Sequence, residues 1–518
     1  MVIKSYISKN TFRDSVYLMR LSSTIREFDG VDEAEVIIGT DHNKKFLESG
    51  GLMTDEIARD AGANDLIIAV RAVDEEKAEK AIQDALTEMN KSVERENLQS
   101  EFIPRTFETA IKNLPGANIA LISIPGTYVK READKILDAG LNLMIFSDNV
   151  TLKEEIALKQ KARDKGLLVM GPDCGTAIIN GVPLAFSNEV RQGKIGIVAA
   201  AGTGLQEVSS LISNMGEGIS HGIGTGGRDV KKSVGGITML LGLEMLINDD
   251  STEVIVVVSK PPDPEVSDKV LTEAGKSKKP VVVNFLGGDQ EKVKTAGCIP
   301  AATLKEASLK AVNIVRGKDA DTGIEPYKTP EEIINKEIKS YKSGQKRLRA
   351  LFSGGTLAYE ALLILSDLPQ KMHTNLSYKD ALKLEDVYKS VGNTIIDFGE
   401  DEFTQGRLHP MIDPALRNKR ILAEARDPET AVISLDIVLG YNAHHDPAGS
   451  ALEAILEARK IAEKDGRKIT FTAYVCGTED DPQKRGDQVA KLKDEGVHVF
   501  ESNADAAFFT RELLKKLK

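Results

Sequence analysis

Ile195-Gly196-Ile197-Val198-Ala199-Ala200 runs through Ala201 into Gly202-Thr203-Gly204-Leu205-Gln206-Glu207, and the phrase recurs 153 positions later. The second copy is Leu348-Arg349-Ala350-Leu351-Phe352, then Ser353-Gly354 and Gly355-Thr356-Leu357-Ala358-Tyr359-Glu360. Each copy continues into an apolar pattern of helical spacing, Val208 to Met215 and Ala361 to Leu368. An apolar strand, a glycine turn and a helix start make a backbone anion site. The first-turn N–H groups lack intrahelical partners, and the helix dipole adds partial positive charge there. Two such turns in one chain point to two helices aimed at one shared phosphate.

The same unit accounts for the organisation on either side. Residues 193–316 and 347–518 read as one α/β unit occurring twice. Strands at Val254–Val258 and Pro280–Phe285 in the first correspond to Ala431–Asp436 and Ile469–Val475 in the second. Between them, 317–346 is a charged, Pro-punctuated connector with helical character. Upstream, 99–192 alternates strand and helix (Ala117–Ile124, Val129–Ala139, Leu143–Phe146, Leu152–Lys165, Leu167–Met170), a Rossmann-like parallel pattern. Residues 1–98 read as strand, helix, strand, strand, helix, with helices at Asp14–Phe28 and Glu75–Met89. That order suits a small α+β domain of ferredoxin-like type. The predicted fold class is multidomain α/β: this N-terminal domain, a Rossmann-like domain and two flavodoxin-like ligase-type domains.

Composition excludes several function classes. Net charge is −11 and pI about 5.4, which argues against nucleic-acid binding through a basic face. No apolar stretch reaches membrane-spanning length, and Met1-Val2-Ile3-Lys4-Ser5-Tyr6 lacks a signal-peptide core, so the cytosol is the expected location. Cys174, Cys298 and Cys476 show no CxxC spacing, and His444-His445-Asp446 reads as a polar loop, so no metal site is expected. A GxxxxGK[ST] phosphate loop is also missing.

Residues from about 117 to 310 resemble the α subunit of succinyl-CoA synthetase. The matching stretches are Ile122-Ser123-Ile124-Pro125, Gly171-Pro172-Asp173-Cys174 and Gly196 to Thr203, followed by Glu207. Residues 347–518 are similar to a second ligase-type domain, as in that enzyme's partner subunit. With its added N-terminal domain, the whole chain resembles the FdrA family of acyl-CoA-synthetase-like proteins. Two departures matter. Thr295, in Thr295-Ala296-Gly297-Cys298-Ile299, stands where the synthetase has its phosphorylated histidine, and threonine cannot form a labile phosphoramidate. The N-terminal domain also lacks a GxGxxG-like loop, which speaks against CoA binding. The FdrA resemblance implies a subunit of oxamate carbamoyltransferase in allantoin and purine-nitrogen breakdown. That reaction interconverts oxalurate and phosphate with oxamate and carbamoyl phosphate. No cofactor is required by this reading, and other carbamoyltransferase subunits are the implied partners in a hetero-oligomer. The rivals are an ADP-forming acyl-CoA synthetase and a non-catalytic scaffold subunit derived from one.

The candidate residues follow. Gly202, Thr203 and Gly204 with Gly354, Gly355 and Thr356 form the expected phosphate cradle. Glu207 and Glu360 recur at one offset; the resemblance matches Glu207 to a synthetase glutamate facing the phosphohistidine. Both are candidate catalytic carboxylates, and the alternative, a charge complementing a helix N-terminus, stays open. Asn149, Asp173 and Cys174 lie on loops at strand C-terminal ends, where parallel sheets hold ligands. Arg407 and His409 form a polar pair in a loop after Ile395 to Gly399, with Arg228 in a comparable loop of the first repeat; each arginine could grip a carboxylate or phosphate.

Overall fold

Alternation in Leu66–Ala72 sends Leu66, Ile68 and Val70 to one face of a sheet and Ile67 and Ala69 to the other, and both faces are covered. This strand is the middle of three, order Val2–Ser8, Leu66–Ala72, Val31–Ile38, antiparallel throughout. Ser15–Arg26 and Glu75–Gln99 pack Leu18, Leu21, Ile25, Ala78, Ile82 and Ala85 on one face. Two short helices, Asp41–Ser49 and Asp55–Asp60, cover the other with Leu47 and Ile57. Both are absent from the strand and helix order read in the sequence. Thr40 and Thr54 start them by capping Asn43 and Ile57 N–H. This computed structural model describes residues 1–11, 15–26, 28–99, 104, 106–404 and 407–517, so the expected helix start at Asp14 lies outside the described residues.

The chain divides into two units, Met1–Ala117 with Thr404–Leu408, and Asn118–Phe403 with His409–Lys518. The second unit opens on a three-stranded parallel sheet, Ile119–Ile122, Asn142–Ile145 and Val169–Met170. A seven-stranded sheet follows, in the order Ile299–Pro300, Val281–Phe285, Val254–Ser259, Gln192–Ala199, Ile219–Gly224, Thr176–Ile179, Val182–Ala185. Its last two strands are an antiparallel hairpin joined to the parallel strands through His221 and Gly222. That hairpin lies within the segment assigned from sequence to the Rossmann-like domain, yet it pairs with the next sheet. The second seven-stranded sheet is wholly parallel: Leu382–Lys383, Met372–Thr374, Asn393–Asp397, Arg347–Phe352, Thr430–Val438, Thr470–Cys476, His498–Phe500.

The repeat is visible in register. In the first sheet Ala199 lies between Gly224 and Val258. In the second, Phe352 lies beside Asp397, and Leu351 beside Leu435, one residue before Asp436. The positions of Gly224 and Val258 are therefore held by Asp397 and Asp436 in the second copy. Each central strand feeds a helix, Gly202–Asn214 and Gly355–Leu365. These pack with Leu304–Val315 and Asn503–Lys515 in one core that includes Leu205, Val208, Leu304, Leu357, Leu362 and Phe509. Burying each leucine there is worth about 1.5–3 kcal/mol. The connector contributes the helix Glu331–Ser340, which buries Ile334 and receives the Thr470 hydroxyl on Glu337. Among the described residues, no helix is long and apolar enough to cross a membrane.

Candidate functional site

The two glycine turns meet. Thr356 N–H donates to Thr203 Oγ1 at 3.2 Å. A Cβ on Gly204 would lie 3.1 Å from Thr356 Cγ2, and one on Gly354 would lie 3.0 Å from Thr203 Cγ2, so glycine is what allows this approach. Gly202 faces Thr176, whose hydroxyl would be 3.2 Å from a Cβ there. Neither helix has a capping side chain, because Ala201 and Gly354 stand at the N-cap positions. First-turn amides of the helix Gly202–Asn214 are thus left to an outside acceptor.

The second turn is built differently. Asp436 accepts from Ser353 N at 2.8 Å, Ser353 Oγ at 2.7 Å and Gly354 N at 2.7 Å. Arg417 balances it with an ion pair of 3.1 Å, both side chains buried. A carboxylate of the protein therefore already occupies the amides leading into the helix Gly355–Leu365. Asp397 stands beside that helix start, and a Cβ on Gly355 would collide with Asp397 Oδ2 and come 3.2 Å from Lys260 Nζ. Burial, with Glu400 and Asp436, raises the Asp397 carboxyl to about 7 against the opposing pull of Lys260 and the Gly399 N–H. Lys260 Nζ is 4.0 Å from Glu400 Oε1. His409 lines the same corner: a Cβ on Gly399 would lie 2.8 Å from its Nε2. Its Nδ1 accepts from Met411 N at 3.3 Å, and its ring lies 5.8 Å from Phe186. Burial lowers its pKa to about 4, so near pH 7 it is a neutral donor through Nε2.

Glu207 and Glu360 do not face the turns. Both are fully buried. Glu360 Oε1 accepts from Leu304 N at 2.8 Å and Oε2 from Asn503 Nδ2 at 2.8 Å. Glu207 Oε1 accepts from Asn503 N at 3.4 Å, and the Tyr474 hydroxyl and Cys476 thiol lie against the same carboxyl. Burial raises both carboxyls, Glu207 to about 8 with Glu360 adding to it, and Glu360 to about 7. The catalytic role expected from their common offset is corrected to one at helix starts, though not those of their own helices.

The remaining candidates are dispersed. Asn149 and Asp173 have φ of 54° and 55°, left-handed turn positions that Asn and Asp tolerate. Asp173 reaches solvent from a recess; desolvation there, then Asp148 and Asp401, raise its carboxyl to about 6, against Arg228. Cys174 is buried, its thiol donates to Thr176 O, and burial pushes it up to about 12, so it presents no thiolate. Arg228 is committed to Glu155 at 2.9 Å and Val150 O at 2.9 Å, part of a buried network through Lys159 and Asp229. Arg407 belongs to the first unit and His409 to the second, so the expected polar pair is split; Arg407 bears on Glu35. Sequence reasoning missed Lys260, Asp397, Asp436 and Arg417. The signal was a lone charge ending or following an apolar strand: Ile395-Ile396-Asp397, Ser434-Leu435-Asp436 and Val254 to Lys260.

Comparison with known proteins fits this architecture. The CoA-ligase family profile matches residues 351–512, and the profile of the AllF heavy metal-associated domain matches residues 1–102. The latter stretch contains no cysteine, and among the described residues no group of three or more His, Cys, Asp or Glu could hold a metal ion, so its donors do not fit a heavy metal. The uncharacterized protein YahF of Escherichia coli (strain K12) is 41% identical over 516 residues, covering 100% of this chain and 99% of that protein. Succinate–CoA ligase [ADP-forming] subunit alpha 1 of Archaeoglobus fulgidus is 24% identical over 238 residues, covering 44% of this chain and 80% of that subunit. Among solved structures, the apo dinucleotide-forming acetyl-coenzyme A synthetase 1 of Ca. Korarchaeum cryptofilum aligns at 16% identity and TM-score 0.32, over 77% of this chain and 85% of that one. With a relative this similar along its whole length, and ligase subunits matching its centre, the chain belongs to the FdrA-like family of succinyl-CoA-ligase-like proteins.

Proposed function

We propose that this protein is a subunit of a carbamoyltransferase that interconverts oxalurate and phosphate with oxamate and carbamoyl phosphate. One observation carries the reading: the helix start at Gly202, which has no side-chain cap, meets the second glycine turn where Thr356 N–H donates to Thr203 Oγ1, beside Lys260, Asp397 and neutral His409. Phosphate is held by the amides of Gly202, Thr203 and Gly204, with Gly354, Gly355 and Thr356 closing the other side and Lys260 adding charge. Backbone dipoles fixed in advance stabilise charge that develops on a transferring group without reorganising, which suits a carbonyl–phosphate substrate.

The synthetase chemistry of the ligase relatives finds less support. Thr295 ends the helix Gln290–Thr295 and donates its hydroxyl to Glu291 O at 2.8 Å. It offers no nitrogen to phosphorylate. CoA has less support in this reading as well, because the helix Gly126–Asp138 begins packed against the backbone of Asp148 and Asn149, 2.5 Å from where a Cβ on Gly126 would lie. No step is routed through CoA. Other carbamoyltransferase subunits are the proposed partners and the cytosol the proposed location. The test is phosphate-dependent cleavage of oxalurate by the full chain, alone and with its co-purifying subunits. Carbamoyl phosphate and oxamate are expected in equal amounts. CoA- and nucleotide-dependent turnover instead would establish the acyl-CoA synthetase reading.

A further inference from the structure

Asp397 is the acid that the repeat does not need. Its counterpart in the first repeat is Gly224, where a Cβ would collide with Thr176 O and lie 2.6 Å from Cys174 Sγ, so the same strand end folds there with no side chain. In the second repeat the position carries a carboxyl that is 2% exposed and held rigidly. Asp397 N–H donates to Asn375 Oδ1 at 3.0 Å, and Asn375 Nδ2 donates to Asp397 O at 2.8 Å. Gly399 N–H donates to Oδ1 at 2.8 Å. Oδ2 accepts no hydrogen bond from any described residue and points at Gly355, where the glycine turn begins. An oxygen held in place against a helix start, with no donor from the protein, is positioned to meet a ligand there.

We propose that Asp397 is the proton-carrying catalytic residue of this site, its Oδ2 taking the hydrogen of bound hydrogen phosphate and delivering it to the departing nitrogen. The inference rests on the carbamoyl-transfer reading above. A phosphate oxygen attacks the ureido carbon of oxalurate while its hydrogen passes to Oδ2. The bond from that carbon to the oxamate nitrogen breaks, and its electron pair stays on nitrogen. That nitrogen takes the proton from Oδ2, which leaves oxamate, carbamoyl phosphate and the Asp397 carboxylate. Hydrogen phosphate and oxalurate thus supply every atom and charge of the two products, and no oxidant, reductant or other reactant enters.

The surroundings suit a group that must both gain and lose a proton near pH 7. Burial, Glu400 and Asp436 favour the protonated form, while Lys260 and the Gly399 N–H favour the carboxylate. His409, on the far side of Gly399, is neutral there and adds no competing charge.

Phosphate titration of the full chain with its co-purifying subunits, run near pH 7 in buffers of different ionisation heat, reads the protons exchanged on binding. Wild type should exchange a fraction of a proton with the buffer as hydrogen phosphate settles beside the Asp397 carboxylate. Asp397→Asn should still bind phosphate but lose that exchange, and its turnover should fall by about 10²–10⁴-fold. Asp397→Ser repeats the measurement should the Asn variant melt early. Equal proton exchange in wild type and variants, or turnover within tenfold of wild type, overturns the role of Asp397 and leaves the phosphate site standing. Failure of wild type to bind phosphate overturns the carbamoyl-transfer reading itself.

Discussion

Glu207 and Glu360 each accept a hydrogen bond from the first amide of a helix in the opposite repeat. Glu360, in the second repeat, takes Leu304 N–H, which opens the last helix of the first repeat; Glu207, in the first, takes Asn503 N–H, which opens the last helix of the second. Thr303 and Ser502 cap the same helices one residue earlier through Glu306 N and Asp505 N. The recurring glutamate is thus part of a reciprocal clasp between repeats. Acidic groups at helix starts are favourable, and partly buried ones reach about 2 kcal/mol.

Glu360→Ala should therefore destabilise the protein while leaving phosphate binding intact. It strips Leu304 N of its acceptor, at about 1–3 kcal/mol for a buried amide left unpaired, and leaves Asn503 Nδ2 with Leu357 O alone. Chemical denaturation and phosphate titration of one preparation check this. A stable variant that no longer binds phosphate would return Glu360 to the site.

Thermal stability should fall as pH rises from 6.5 to 8.5. Glu207 and Glu360 have folded pKa values of about 8 and about 7, above the ordinary 4.5. The folded state keeps protons that the unfolded chain has released, so stability is full below 4.5 and is lost as pH climbs through 7 to 8. Each retained proton makes stability fall by about 1.4 kcal/mol per pH unit. Depressed His409 acts in the opposite sense only below its ordinary 6.5, outside this range. Glu207→Gln, a stand-in for the protonated acid, should flatten the slope, as Tm against pH will show.

Gly202→Val and Gly355→Val should both weaken phosphate binding, the second more. At Gly355 the new side chain meets Asp397 Oδ2 and Lys260 Nζ, whereas at Gly202 it meets one hydroxyl at 3.2 Å. Calorimetric titration of the two variants decides it; unchanged affinity in both would remove the glycine turns from the site.

Incubation with labelled ATP or GTP should leave no acid-labile, base-stable phosphate on the chain. Thr295 has no ring nitrogen, and its hydroxyl is turned back on its own helix. Stoichiometric phosphohistidine would restore the ligase reaction.

The turns were legible in the sequence because a glycine phrase after an apolar run reports local backbone geometry, and it occurred twice. Alternating strand and helix gave the parallel sheets for the same local reason. What escaped depends on contacts across long separations. Glu207 recurs with Glu360, but only tertiary packing shows each reaching a helix of the other repeat. Asp397 and Asp436 look alike as acids ending apolar strands, yet one is consumed by Ser353, Gly354 and Arg417 while the other keeps an oxygen unpaired. The hairpin at Thr176–Ala185 follows a loop and joins a sheet whose first central strand comes later in the chain, an order periodicity does not reveal.

The reciprocal clasp makes this chain an intramolecular heterodimer. Neither repeat owns the acceptor for the first amide of its own last helix, so a cut in the connector at 317–346 would yield two fragments, each carrying what the other lacks. Tethering holds the halves at an effective concentration of roughly millimolar for a short flexible linker, which replaces assembly from separate subunits with folding. Carrying the ligase-type unit twice in a single polypeptide fixes the stoichiometry at one to one, with glycine and valine in one copy where the other has its two aspartates.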